Sequence, residues 1–295
     1  MRGMIDARRA LVVLGGLLAA LLFVLPAAAS AGEPSYVAIG DSYTSAPGVT
    51  PYEENEVAEK FCGRSTLNYP HLVAAALKLN LTDVSCGGAT TSDETEEQIE
   101  GKTPPQDDAL SESTEVVTIG MGGNDGGLFG TLLNGCTQID AFEAREGKAP
   151  CRAEYEKFVT ETFAADKPAQ EAALVHIKEL APHAKVFVVG YPDILPKKGT
   201  CFAIPWKEGD YKWFRSAVEK LGNKMIKTGA KAHGAIFVDT FKSSEEHNAC
   251  TPVGTRWIEP LVNPLTGVPV HPNALGEEAD AYAVEREMLA AKVRP

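Results

Sequence analysis

The sequence predicts an α/β protein, a three-layer α/β/α sandwich around a central, mainly parallel five-stranded sheet. Three observations carry that expectation. Short, β-branched, nearly continuous apolar runs recur along the chain, as strands buried on both faces require. Stretches with apolar residues at three- and four-residue spacing separate them, as helices covering a sheet require. After residue 31 no repeat, low-complexity tract or Pro/Gly/Ser-rich linker divides the chain, so residues 32–295 are expected to form one domain.

In chain order, strands are expected at 36–40, 83–86, 116–120, 186–190 and 236–239. Helices are expected at 69–79, 153–163, 168–180 and 211–232, and Asn273 can cap a final helix running to about residue 292. The longer irregular stretches are 44–65, 91–113, 121–150, 192–209 and 241–270. Most of them leave the carboxyl end of a strand, where open α/β sheets build their sites.

Residues 1–31 stand apart. Three arginines precede an apolar run over 11–29 that ends in small residues around Ala29, Ser30 and Ala31. That is the layout of a signal peptide, and it predicts secretion. An uncleaved anchor is the rival reading, because the run is nearly long enough to span a bilayer; the Ala-x-Ala-like residues favour cleavage. The chain of 295 residues carries a net charge of −12, and losing residues 1–31 would remove three Arg against one Asp, making it more acidic still. Such a surface repels phosphate backbones and anionic headgroups, so nucleic acid is a poor partner and contact with lipid surfaces is at most transient. A monomer acting on a small-molecule or lipid ester is expected.

Six cysteines all follow the leader, an even number that implies pairing in an exported chain. None has zinc-knuckle spacing or a neighbouring histidine, so no metal and no cofactor are expected. Sequential pairing would close loops between the strands, and we prefer Cys62–Cys86, Cys136–Cys151 and Cys201–Cys250 among the fifteen possibilities.

Four segments at strand exits or before the last helix can carry chemistry. Gly40-Asp41-Ser42-Tyr43 puts a hydroxyl at the end of strand one, although Asp and Ser also make ordinary turns and caps. Gly87-Gly88 lets the backbone approach a ligand and aim an N–H at it; a tight turn beside a disulfide is the bland alternative. Gly120-Met121-Gly122-Gly123-Asn124-Asp125 lacks the lysine and the spacing of nucleotide loops, but Asn124 offers a neutral amide donor suited to a developing oxyanion, or else a cap. In Val270-His271-Pro272-Asn273 the proline stiffens the loop, and a constrained imidazole makes a good general base. The other histidines, His71, His176, His183, His233 and His247, lie in expected helices or on loops with no such context. The absence of a Gly-x-Ser-x-Gly elbow argues against the α/β-hydrolase fold.

Taken in order, these segments resemble the SGNH (GDSL) hydrolase family, and within it the secreted actinobacterial lipases and esterases with three disulfides; the likeness spans about residues 36–285. The resemblance implies a flavodoxin-like sandwich and a carboxylic ester hydrolase of the lipase or esterase type. It implies Ser42 as nucleophile and His271 as acid and base, with the Ser42 N–H, the Gly88 N–H and the Asn124 side chain as oxyanion donors. The cysteine positions also fit that subgroup's sequential pairing. One departure stands out. Where many members place Asp three residues before the histidine, this chain has Val268 followed by Pro269, so a backbone carbonyl of Val268 or Pro269 is expected to orient the imidazole, giving a Ser–His dyad.

Phospholipase A and carbohydrate O-deacetylase activities are alternatives on the same fold, and a non-catalytic extracellular binding protein is the alternative of another class. Leu128-Phe129 with Leu132-Leu133, and Ile204-Pro205-Trp206, either line an acyl pocket or pack internally, with the two readings even. A deacetylase would want exposed aromatics for sugar, and Trp206, Trp213 and Trp257 are the candidates.

Overall fold

The strand β1 (Ser35–Gly40) has five of its six residues buried, which identifies it as an interior strand with helices on both faces. It is flanked by β2 (Asn80–Asp83) and β3 (Val116–Gly120), with β4 (Lys185–Val189) and β5 (Ile236–Val238) beyond β3. The order is β2-β1-β3-β4-β5 and every pairing is parallel. These relations come from a computed structural model that describes residues 32–142, 148–265 and 268–294. The expected leader at 1–31 lies outside the described residues, and residues 33–295 form one compact unit.

Helices follow as α1 (Ser42–Ser45), α2 (Tyr69–Leu77), α3 (Leu128–Thr137), α4 (Pro150–Leu180), α5 (Glu208–Trp213), α6 (Leu221–Ala232), α7 (Phe241–Ser244) and α8 (Ala274–Ala290). A π-helical segment, Phe214–Lys220, joins α5 to α6. The period-two alternation of the strands divides the core into layers. Tyr36 and Ala38 face α2 and α8, packing with Tyr69, Val73, Val284 and Met288. Val37 and Ile39 face the other way, toward Leu174 and Ile177 of α4 and Ile226 and Ala230 of α6. The three-layer α/β/α sandwich follows directly.

A third apolar cluster lies around the longer loops, with Leu132, Ile204, Trp206, Tyr211 and Ile258 fully or almost fully buried. Two disulfides brace it, Cys136–Cys151 between α3 and α4 and Cys201–Cys250 between loops; Cys62–Cys86 ties the chain before α2 to the exit of β2. Closing loops of 24, 15 and 49 residues stabilises the fold by roughly 3–4 kcal/mol per bridge on a chain-entropy estimate.

Several boundaries differ from expectation. Strand two begins at Asn80 rather than 83, because an edge strand with exposed polar residues gives no apolar signal; the expected segment 83–86 still tracks β1, with Val84 N–H donating to Ala38 O at 3.0 Å and Cys86 N–H to Gly40 O at 3.0 Å. The helices expected at 153–163 and 168–180 are one helix, α4, with Pro168 inside it. Proline suits a first helical turn, which is how its position read; here the helix runs through and forgoes one internal hydrogen bond. Part of the stretch 121–150 expected to be irregular forms α3. The helix expected to reach 79 stops at Leu77, where Lys78 turns left-handed at φ 51°. Asn273 does cap α8, accepting from Leu275 N–H at 3.1 Å and Gly276 N–H at 3.2 Å.

Candidate active site

Gly40 ends β1, and the chain folds back at once so that Thr44 lies over the sheet edge. A Cβ on Gly40 would sit 2.1 Å from Thr44 Oγ1, and one on Gly120 of the neighbouring strand 2.7 Å from it. Only glycine at both positions permits the turn that lifts Ser42 out of the strand. Asp41 caps α1, its Oδ1 accepting from Tyr43 N–H at 2.8 Å. Its other oxygen accepts from the Tyr191 hydroxyl, which in turn accepts from Gly123 N–H at 2.8 Å. Burial pushes the Asp41 carboxyl up to about 7, against the opposing pull of these bonds.

His271 comes from the loop before α8. Its Nε2 lies 2.8 Å from Ser42 Oγ, and both residues are buried. Its Nδ1 lies 2.9 Å from the Pro269 carbonyl oxygen, so Nδ1 carries the proton and Nε2 is left as acceptor. Of the two expected carbonyls it is that of Pro269 that meets the ring; Val268 O accepts from the His271 backbone N–H at 3.2 Å. Val270, between them, takes the left-handed conformation at φ 61°, uncommon for a β-branched residue. It is held there by its N–H to Glu259 O at 3.0 Å and by the Tyr43 hydroxyl on its carbonyl. The Tyr43 ring, 4.9 Å away, and the Phe129 ring, edge-on at 5.7 Å, enclose the imidazole. Burial holds His271 below the usual histidine range, a tendency the Pro269 carbonyl only partly opposes.

The first acid on the amino-terminal side of His271, Glu259, is buried and spends its carboxylate on Arg256 at 3.2 Å, Asn273 Nδ2 at 3.1 Å and Leu265 N–H at 2.8 Å. Asn124 lines the same cleft as Ser42. One N–H of its amide donates to Ala89 O at 3.0 Å, which fixes the side chain and leaves the second N–H for a ligand. Gly88 precedes Ala89 in the left-handed conformation at φ 81°. Asp125 ties this loop to the next by accepting from Thr91 N–H at 2.7 Å and Thr91 Oγ1 at 2.6 Å. The exits of β1, β2, β3 and β4 are thereby locked to one another.

The cleft beyond Ser42 holds about 670 Å³, mouth included, and its far wall is apolar. Leu128 and Phe129 line it as one of the two sequence readings had it, whereas Leu132, Ile204 and Trp206 are core. The remaining wall, from Phe163 of α4 and Phe214, Val218 and Met225 of the π-helical segment and α6, had no signal apart from helix amphipathicity. Tyr191, the hub between Asp41 and Gly123, was likewise missed. A tyrosine after a strand carries no pattern of its own.

The profile of the GDSL-like Lipase/Acylhydrolase family matches residues 38–279. Lipase 2 of Streptomyces coelicolor is 41% identical over 246 residues, 82% of this chain and 81% of that protein. The crystal structure of phospholipase A1 from Streptomyces albidoflavus superposes with a TM-score of 0.69 at 28% identity, covering 87% of this chain and 99% of that one. The extracellular lipase of Streptomyces rimosus gives 0.69 at 26% identity, over 86% and 98%. Fold and comparisons together define the class, a carboxylic ester hydrolase of the lipase or esterase type. The chain belongs to the GDSL-like lipase/acylhydrolase family.

Proposed function

We propose that the protein is a secreted serine esterase or lipase that cleaves fatty acyl esters through an acyl-enzyme on Ser42. The carrying observation is the 2.8 Å contact between His271 Nε2 and Ser42 Oγ at the head of an apolar cleft. Ser42 Oγ attacks the ester carbonyl while Nε2 takes its proton, and the imidazolium rests its Nδ1–H on Pro269 O. Ser42 N–H, Gly88 N–H and the Asn124 amide receive the oxyanion. Collapse expels the alcohol, which leaves with the proton from Nε2. Water, deprotonated by the same nitrogen, then releases the acid and restores Ser42.

Secretion is supported by the leader-like residues 1–31, by three disulfides and by an extracellular relative. Phospholipase A activity is the second reading, favoured by the likeness to the Streptomyces albidoflavus enzyme. Sugar deacetylation draws no support from the tryptophans, since Trp206 and Trp213 are buried and Trp257 is stacked on His247 at 3.8 Å. The deciding experiment is hydrolysis of p-nitrophenyl esters from acetate to palmitate, beside phosphatidylcholine, by the wild type and Ser42→Ala. Activity on the long esters that disappears in the variant is expected; a folded wild type that cleaves none of them rejects the reading.

A further inference from the structure

Among the described residues, the left-handed ones other than glycine are Ala46, Lys78, Asn263, Val270 and Lys292, and Val270 alone of them is β-branched. Such a residue keeps a positive φ only where its surroundings impose it. Two peptide planes meet at Val270. The first carries the Pro269 carbonyl and the Val270 N–H, which point in opposite directions across a trans peptide. The bond of that N–H to Glu259 O at 3.0 Å therefore turns the Pro269 carbonyl the other way, to His271 Nδ1 at 2.9 Å. The second plane carries the Val270 carbonyl and the His271 N–H. The N–H donates to Val268 O at 3.2 Å, and the carbonyl accepts from the Tyr43 hydroxyl; among the described residues no other donor reaches it.

Tyr43 is itself fixed. Its N–H donates to Asp41 Oδ1 at 2.8 Å, its ring is buried with the imidazole 4.9 Å away, and burial keeps its phenol well above the usual tyrosine range, so the hydroxyl stays a donor. One side chain thus ties the residue after Ser42 to the residue before His271. Without the hydroxyl the Val270 carbonyl is left buried and unpaired, and the second plane is free to rotate away from an unfavourable φ. The imidazole hangs from that plane.

We propose that Tyr43 is a positioning residue for the Ser42–His271 pair: by holding the Val270 carbonyl, its hydroxyl keeps the loop in the conformation that sets the Pro269 carbonyl on Nδ1 and Nε2 on Ser42 Oγ. This rests on the reading of Ser42 and His271 as nucleophile and base. The test is kcat/KM for p-nitrophenyl acetate and palmitate in the wild type, Tyr43→Phe, Val270→Gly and the double variant Tyr43→Phe/Val270→Gly, with Ser42→Ala as control. Tyr43→Phe keeps the ring and is expected to lower kcat/KM about tenfold to a hundredfold, equally on both esters, as misplacement of a base does. The acid-side midpoint of its pH profile should move down, because the imidazolium loses the carbonyl that stabilises it. Glycine takes the left-handed angle without support, so in the Val270→Gly background the loss of the hydroxyl should cost less than about threefold, a relief that general damage to the core would not produce. Val270→Asn, which also tolerates that angle, replaces Val270→Gly where loss of the buried side chain impairs folding. Activity in Tyr43→Phe within about twofold of the wild type, a loss confined to palmitate, or an equal loss in both backgrounds, with Ser42→Ala inactive, overturns this inference alone. Activity retained in Ser42→Ala overturns the nucleophile reading and this inference with it.

Discussion

The two walls of the cleft are built by opposite means. The Ser42 wall is made of strand exits, with Asp41, Tyr191, Gly123, Asn124, Ala89, Asp125 and Thr91 linked by hydrogen bonds from one loop to the next. The facing wall is made of helices, with Phe163, Phe214, Val218 and Met225 lining the cleft. Hydrogen-bonded geometry fixes where charge develops, while apolar packing fixes only shape and area. Substitutions on the first wall should therefore change turnover for every ester, and those on the second should change which ester is preferred.

The comparison breaks most sharply at Ser42, the nucleophile proposed above. Ser42→Ala is expected to lower kcat by roughly 10⁴- to 10⁶-fold on all chain lengths, read in the ester series; a chain-length-dependent loss would mean that the two walls are not separable. Asn124→Ala should cost about a hundred- to a thousand-fold in kcat, again uniformly, as removal of one oxyanion donor does. Full activity in that variant would take Asn124 out of the site.

The pH profile comes next in size. Because burial lowers the His271 pKa, the neutral base is lost only under acidic conditions, so kcat/KM should be flat at neutral pH and fall about tenfold per unit below a midpoint under 6.5. A midpoint above the ordinary imidazole value would require a carboxylate against Nδ1 in place of the Pro269 carbonyl.

On the apolar wall, Val218→Ala should weaken palmitate hydrolysis only a few-fold in KM and leave acetate kinetics nearly unchanged, since two methyl groups are removed from a contact that only a long chain makes. The smallest catalytic effect is expected at Glu259→Gln, with turnover within about threefold. Stability should fall by about 2 kcal/mol, because buried Arg256 loses its charged partner while the backbone bonds between Glu259, Val270 and His271 remain; thermal unfolding at neutral pH measures it. A collapse of turnover with unchanged stability would give Glu259 a role in orienting His271.

The same contrast explains what was legible in the sequence. Ser42, Gly88, Asn124 and His271 each stand in a short motif at a strand exit or beside the cap of α8, where glycine, proline and Asn273 mark the backbone geometry. The carboxylate missing before His271 was equally visible, and it pointed to the carbonyls of Val268 and Pro269. Phe163 and Val218 carry no such mark, because apolar residues at helical spacing read alike whether they face a core or a cleft. Pro168 read as a helix start for a related reason, since local preference says nothing of the packing that carries α4 through it. β2 was displaced because its first residues are the polar ones of an exposed edge.

The disulfides do not interleave. Each bridge closes before the first cysteine of the next one, at residues 86, 151 and 250 in turn. In a chain that crosses a membrane amino end first, every second cysteine to emerge meets a single unpaired predecessor, its native partner. Order of emergence alone then selects one pairing out of fifteen, and oxidation can keep pace with export without reshuffling.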